Sequence, residues 1–241
     1  ALAPVPAPIA HVLLDALFER PVQAEVTELL LLPKEDSRFT SSVLVHGMGG
    51  TGKTVTAVAV VRETAIRRRF SQIYWLTVGA DAVGEKVKQL QAVLHKQISG
   101  KGIQAEVNDE QEWQQLLLEA MAVKARSLVV LDDPWMPEQV RFLNPIDGSR
   151  TEHRLLITTR IRDLVPKATR VELPLMGKDE AVALLLDLAN VEDADYLKDN
   201  PRSAWPPPAA YTIAAECGLL PVTLTIAAQV VRSWGDGWGE W

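Results

Sequence analysis

The sequence predicts an α/β fold, a doubly wound parallel sheet of about five strands followed by a small helical subdomain. Two observations carry this expectation. From about residue 40, short β-branched runs alternate with amphipathic stretches, the pattern of strands joined by crossover helices. After Pro174 the strand-like runs stop and only helical periodicity remains.

The first strand is read at Val43, Leu44 and Val45, leading through a glycine-rich loop into a helix over Thr54–Arg69. Arg67, Arg68 and Arg69 then fall in its last turn, where cations favour the helix dipole. Gln72 to Gly79 forms a second strand of aromatic and β-branched type. A helix follows around Glu85–Ile98, with Val87, Leu90, Leu94 and Ile98 on one face. Asn108 and Gln111 resemble a capping box ahead of a helix carrying Trp113, Leu116, Leu117 and Ala120. The third strand, Ser127–Leu131, is apolar almost throughout, as a strand covered on both faces should be. Asp147 and Gly148 make a turn, and Arg154–Thr158 and Arg170–Leu173 are the fourth and fifth strands. Ala181, Leu184, Leu185 and Leu188 mark a helix, and the polar, proline-rich stretch 190–208 reads as a loop. A short helix ends at Gly218, and Pro221 opens a last helix that runs to about Trp234. The domain expectation is a lead-in over 1–39, an α/β domain over 40–173 and a helical subdomain over 174–241.

Composition excludes several classes. The chain has 241 residues, 47% apolar and 23% charged, an ordinary globular mix. Its formal charge of −6, from 25 basic against 31 acidic residues, argues against nucleic acid or an anionic membrane as main partner. Cys217 is the sole cysteine, so neither an intramolecular disulfide nor a cysteine metal cluster is possible. That fits a reducing, cytoplasmic setting. No apolar run approaches the ~18 residues of a membrane span. The start lacks Met and a basic flank and does not read as a signal peptide, so the chain is expected to be a piece of a longer protein. Trp234, Trp238 and Trp241 are expected to pack against the remainder. His46 is read as the start of the glycine-rich loop and His153 as a surface turn, neither with a catalytic role.

The chemistry begins with the stretch Gly47, Met48, Gly49, Gly50, Thr51, Gly52, Lys53, Thr54 and Val55. Its glycines let successive N–H groups point inward as an anion-binding nest, and the helix that follows adds its positive end. Lys53 supplies a point charge for the β- and γ-phosphates and the Thr54 hydroxyl a ligand for Mg²⁺. This Gly-x-x-x-x-Gly-Lys-Thr spacing is the Walker A pattern of a P-loop NTPase. The run "LVVLDDPW" ends an apolar strand in Asp132 and Asp133. Asp132 would reach Mg²⁺, directly or through water, because a hard cation takes oxygen ligands. Asp133 would polarise the attacking water, the catalytic role. "LLITTR" places Thr159 and Arg160 at the end of the fourth strand, where ligands of such sheets bind. They are candidate γ-phosphate sensors, Arg160 through a charge-assisted bond.

Taken in order, "GMGGTGKT", "FSQIYWLTVG", "LVVLDDPW", "LLITTR" and "CGLLPVTL" resemble the NB-ARC nucleotide-binding module of signal-transducing (STAND) P-loop ATPases, over about residues 10–234. "LFERPVQAEVTELL" resembles the family's lead-in motif, with Glu19 where a Gly is usual and Arg20 in place. The resemblance implies that Arg20 and Pro221 lie on the adenine side of the nucleotide. It also implies that the Arg160 strand sits between the Walker A and Walker B strands. No His-Asp pair occurs, so the winged-helix part that carries one in the family is expected to be missing.

The function so implied is an ATP/ADP switch in a larger signalling protein of the innate-immunity or cell-death type. ADP would hold it closed, and exchange for ATP would open it and expose a surface for homo-oligomer assembly. Hydrolysis would be slow. The rivals are a turnover ATPase of the motor type, which often uses Glu where Asp133 stands, and a phosphotransferase. The second would need a lid rich in Arg or Lys, whereas the 190–208 loop has only Lys198 and Arg202.

Overall fold

The computed structural model describes residues 2–9, 20–102, 107, 109–147, 152–192 and 205–234. Five strands form one sheet: β1 (Ser42–His46), β2 (Gln72–Thr77), β3 (Ser127–Asp132), β4 (Arg154–Thr159) and β5 (Thr169–Glu172). Their order is β2-β3-β4-β1-β5, and every pairing is parallel. The strand bearing Arg160 at its end therefore lies between β1 and β3, as the resemblance implied. All residues of β3 and β4 are buried, which explains their nearly continuous apolar sequence.

The helices are α1 (Pro21–Leu31), α2 (Lys53–Arg62), α3 (Thr64–Arg69), α4 (Glu85–Ser99), α5 (Glu110–Ala122) and α6 (Pro137–Leu143). Three more follow: α7 (Lys178–Ala189), α8 (Pro208–Glu216) and α9 (Pro221–Trp234). Among the described residues the chain divides into two compact units, one of 2–9, 20–47 and 53–172, the other of 48–52 and 173–234. In the first, Val87, Leu94 and Ile98 of α4 and Leu117 and Met121 of α5 bury against Val129, Leu131, Leu155 and Ile157 of the sheet. The second has its own core, with Val182 and Leu185 of α7 against Ile213 of α8 and Leu224 and Val231 of α9. No helix among the described residues is long and apolar enough to cross a membrane.

Several elements depart from the sequence reading. The helix expected over Thr54–Arg69 is broken at Glu63, whose backbone is extended (ψ 136°). The Glu63 carboxylate accepts from Gln23 Nε2 of α1 at 3.1 Å, so a contact distant in sequence holds the break. Arg67–Arg69 consequently end the short α3 and not the P-loop helix. Asn108 lies outside the described residues, and the cap of α5 is Asp109. Its Oδ1 accepts the N–H groups of Gln111 and Glu112 at 2.7 and 2.8 Å. α6 has no counterpart in the reading, being too short to show periodicity. His153 is fully buried instead of on a surface turn, with Nδ1 accepting the Ser127 N–H at 3.2 Å. Trp238 and Trp241 lie outside the described residues, as does Gly148 of the expected turn.

Candidate nucleotide-binding site

The parallel register sets the site. Asp132 at the end of β3 stands level with Thr158 in β4, and Thr159 with His46 at the end of β1. The glycine loop leaves β1 at this edge, and α2 starts at Lys53. Gly50 and Gly52 have φ of 82° and 94°, the left-handed region that side chains resist, so the turn requires glycine there. Lys53 is 7% exposed and its Nζ donates to the carbonyl of Gly47 at 2.9 Å, closing the loop. Burial holds its pKa below the usual lysine value, the Arg160 charge adds to this, and Asp133 and Asp132 oppose it. Thr51 steadies the turn by donating to Met48 O at 2.9 Å, while the side chains of Met48 and Val55 face solvent.

Asp132 joins three elements. Its Oδ1 accepts from Thr54 Oγ1 of α2 at 2.8 Å and from Thr158 Oγ1 of β4 at 2.6 Å. It is 4% exposed. Burial pushes its pKa up, and the two hydroxyl bonds only partly oppose this. Asp133 follows with φ 58°, uncommon for a residue with a side chain. Its N–H is held by the carbonyl and hydroxyl oxygens of Thr158 at 2.9 and 3.1 Å. Its Oδ2 accepts the indole N–H of Trp135 at 3.1 Å.

The two sensor candidates stand in different surroundings. Thr159 is fully buried, donates to Pro134 O at 2.7 Å and accepts from Ile161 N–H at 3.1 Å. Its hydroxyl braces the turn after β3. The next hydroxyl toward the chain start, that of Thr158, is the one that reaches Asp132. Arg160 is exposed and lies over the Trp135 ring, 4.9 Å from its centroid. Arg20 is half-buried and extended (φ −97°) just before Pro21 of α1, which packs on α2 and β1.

In the second unit, Pro221 Cγ lies 3.9 Å from where a Cβ on Gly52 would stand. The Val222 N–H donates to Gly50 O at 3.4 Å, and Val222 Cγ1 would be 2.5 Å from a Cβ on Gly50. A side chain at Gly50 is thus excluded by φ and by space.

Sequence reasoning missed Thr158, Trp135, Val222 and Gln139. The buried Gln139 side chain accepts the N–H groups of Trp135 and Met136 at 2.6 and 3.1 Å. It also donates to the carbonyls of Gly79 and Ala82 at 3.1 and 2.9 Å, tying the turn after β3 to the loop after β2. The one available signal was a glutamine three residues beyond Met136, the spacing of a helix-start box.

A parallel sheet with this order, a glycine loop ending in Lys-Thr after β1 and an aspartate at the end of β3, one strand removed, define a P-loop nucleotide-binding protein. The NB-ARC domain profile matches residues 21–195, and the chain belongs to that family. It is 28% identical over 205 residues to apoptotic protease-activating factor 1 of Danio rerio, covering 81% of this chain and 15% of that protein. It is 29% identical over 167 residues to a disease resistance protein of Arabidopsis thaliana, covering 66% of this chain and 18% of the other. Among solved structures it resembles a signal transduction ATPase with numerous domains and a tetratricopeptide repeat sensor from Pyrococcus horikoshii. That match has a TM-score of 0.55 at 18% identity, covering 86% of this chain and 29% of the other. The chain thus spans about a sixth of the length of these curated relatives.

Proposed function

We propose that the chain is the ATP/ADP-binding switch of a larger signalling protein. The observation that carries this reading is the joining of Thr54 and Asp132 at 2.8 Å beside the buried Lys53. In this reading Gly47–Val55 bind the phosphates, Thr159 and Arg160 form the γ-phosphate sensor, and Arg20 and Pro221 flank the adenine. Asp133 polarises water in a slow hydrolysis. The lead-in, nucleotide-binding and helical parts are assigned to 1–39, 40–173 and 174–241.

The residues present suit Mg²⁺. Thr54 and Asp132 offer hard oxygen donors, and the described residues hold no cluster of three or more acidic, His or Cys groups able to cage a metal alone. That is the pattern of Mg²⁺ held by one or two protein oxygens plus substrate phosphates. When bound, the ion would neutralise phosphate charge and favour the ionised Asp132 that burial disfavours.

Exchange of ADP for ATP would shift the protein between two states in proportion to the difference in their affinities. By family likeness, the ATP state would assemble with further copies in the cytoplasm, and winged-helix and sensor parts would lie elsewhere in the whole protein. Calorimetry with ADP, and with ATP with and without Mg²⁺, tests the reading. Binding of both, with ATP strengthened by Mg²⁺, is expected; binding of neither overturns it.

A further inference from the structure

We propose that Trp135 is a positioning residue that holds Arg160 ready for the γ-phosphate, so that this one ring sets how strongly the site prefers ATP to ADP. The proposal rests on the nucleotide-site reading above and deepens it.

The ring is fixed from two sides. Its Nε1–H donates to Asp133 Oδ2 at 3.1 Å, and its backbone N–H donates to the buried Gln139 Oε1 at 2.6 Å. Asp133 is itself fixed, because Thr158 takes its N–H through two oxygens at 2.9 and 3.1 Å. A half-buried, doubly anchored indole thus stands beside the end of β4. The Arg160 guanidinium lies over it at 4.9 Å from the ring centroid. A cation at that distance from an indole face is attracted by the ring quadrupole.

The geometry also says which way this acts. Arg160 directly follows β4, which lies between β1 and β3, so on Trp135 it waits at the same strand ends from which the glycine loop leaves β1. Stacking therefore organises the arginine for use. A long exposed side chain loses rotamer freedom on engaging a ligand, and one already stacked loses less. Only ATP carries the phosphate such an arginine would reach, so the gain falls on ATP and leaves ADP nearly unchanged. Asp133 then has a second part besides its own proposed chemistry, as the anchor of the ring.

The test is a double-mutant cycle on the whole chain, read as Kd for ATP and for ADP, with melting temperature as the folding control. Trp135→Leu is expected to weaken ATP about tenfold and ADP less than about twofold. Trp135→Phe keeps a ring face and should recover most of that loss. With Arg160→Ala already present, Trp135→Leu should cost ATP binding less than about a further twofold. Equal losses for ATP and ADP, or losses that add in the double variant, overturn the positioning role. Wild-type chain that binds neither nucleotide overturns the site reading itself. Wild-type binding with an additive cycle overturns only the part given to Trp135. If Trp135→Leu fails to fold, Trp135→Phe in the same cycle with Arg160→Ala decides: an ATP loss that persists on the Arg160→Ala background overturns the proposal.

Discussion

Thr54 Oγ1 donates to Asp132 Oδ1 at 2.8 Å across 78 positions of sequence. The bond ties the first turn of the P-loop helix α2 to the end of β3, although β4 separates β3 from β1 in the sheet. Thr158 of the intervening strand closes the gap by giving its hydroxyl to the same carboxylate oxygen at 2.6 Å. One buried oxygen thus reports on three elements.

Lys53→Ala should weaken both ADP and ATP at least about tenfold, or about 1.4 kcal/mol. The change removes the charged group that lies against the glycine loop, with Nζ on Gly47 O at 2.9 Å. Titration calorimetry checks it, and unchanged affinity would show that the loop does not hold the phosphates.

Asp132 and Asp133 should divide their work. Asp132→Asn is expected to weaken Mg²⁺-dependent ATP binding more than Mg²⁺-free ADP binding, because Asp132 lies on the Thr54 hydroxyl. Asp133→Asn should leave ADP affinity nearly intact and suppress residual hydrolysis. Binding isotherms with and without metal, beside a phosphate-release assay, separate the two. Equal effects on metal-free ADP affinity would sink the division.

Much of this site was legible in sequence because its parts are local. The loop Gly47–Thr54 needs glycine φ values and a following helix, and both can be read within one stretch. The five strands were legible because β-branched runs bounded by turn residues survive any tertiary context here. What sequence could not supply was adjacency. Thr158 was not singled out because finding the hydroxyl that meets Asp132 requires knowing which residue of the next strand lies beside it. That depends on the β3–β4 register, which pairs Asp132 with Thr158. The break at Glu63 was hidden for the same reason, since its partner Gln23 is 40 residues away. Gln139 escaped because a buried glutamine with four backbone bonds reads locally as a polar helix residue.

Stability should depend on pH through Asp132. Burial raises its folded pKa above the ordinary 3.8. For a raised carboxylate the stabilising contribution is present below the unfolded value and is lost as pH rises through the folded one. At neutral pH, without nucleotide or metal, ionised Asp132 therefore weakens the fold. Asp132→Asn should raise the melting temperature at pH 7, and the difference should shrink as pH falls toward 4. Saturating Mg²⁺-ATP should reverse the order, because the ion favours the charged form. Differential scanning fluorimetry across this range checks both signs, and a wild type more stable than the variant at pH 7 without ligand would refute the assignment.

A last prediction concerns a group far from any proposed ligand contact. Arg154, the first residue of β4, is 1% exposed. It donates to His153 O at 2.9 Å and to Leu32 O, just past the end of α1, at 3.0 Å. Its guanidinium lies over the Phe39 ring at 4.3 Å from the centroid. Burial, with Arg69 nearby, pulls its pKa down to about 10. For a base so shifted, stability is greatest above the unfolded value and falls as pH drops through the folded one, so between pH 6 and 8 its contribution is flat. Lysine carries the same charge but lacks the planar fork that serves two carbonyls while lying flat on a ring. Arg154→Lys should therefore cost about 1–3 kcal/mol, the penalty for leaving a buried acceptor unserved. The loss should be the same at pH 6 and pH 8. Urea unfolding of the nucleotide-free chain reads it as a lower midpoint at unchanged slope. An unchanged midpoint would mean that charge alone, and not the fork joining α1 to β4, is what this buried position requires.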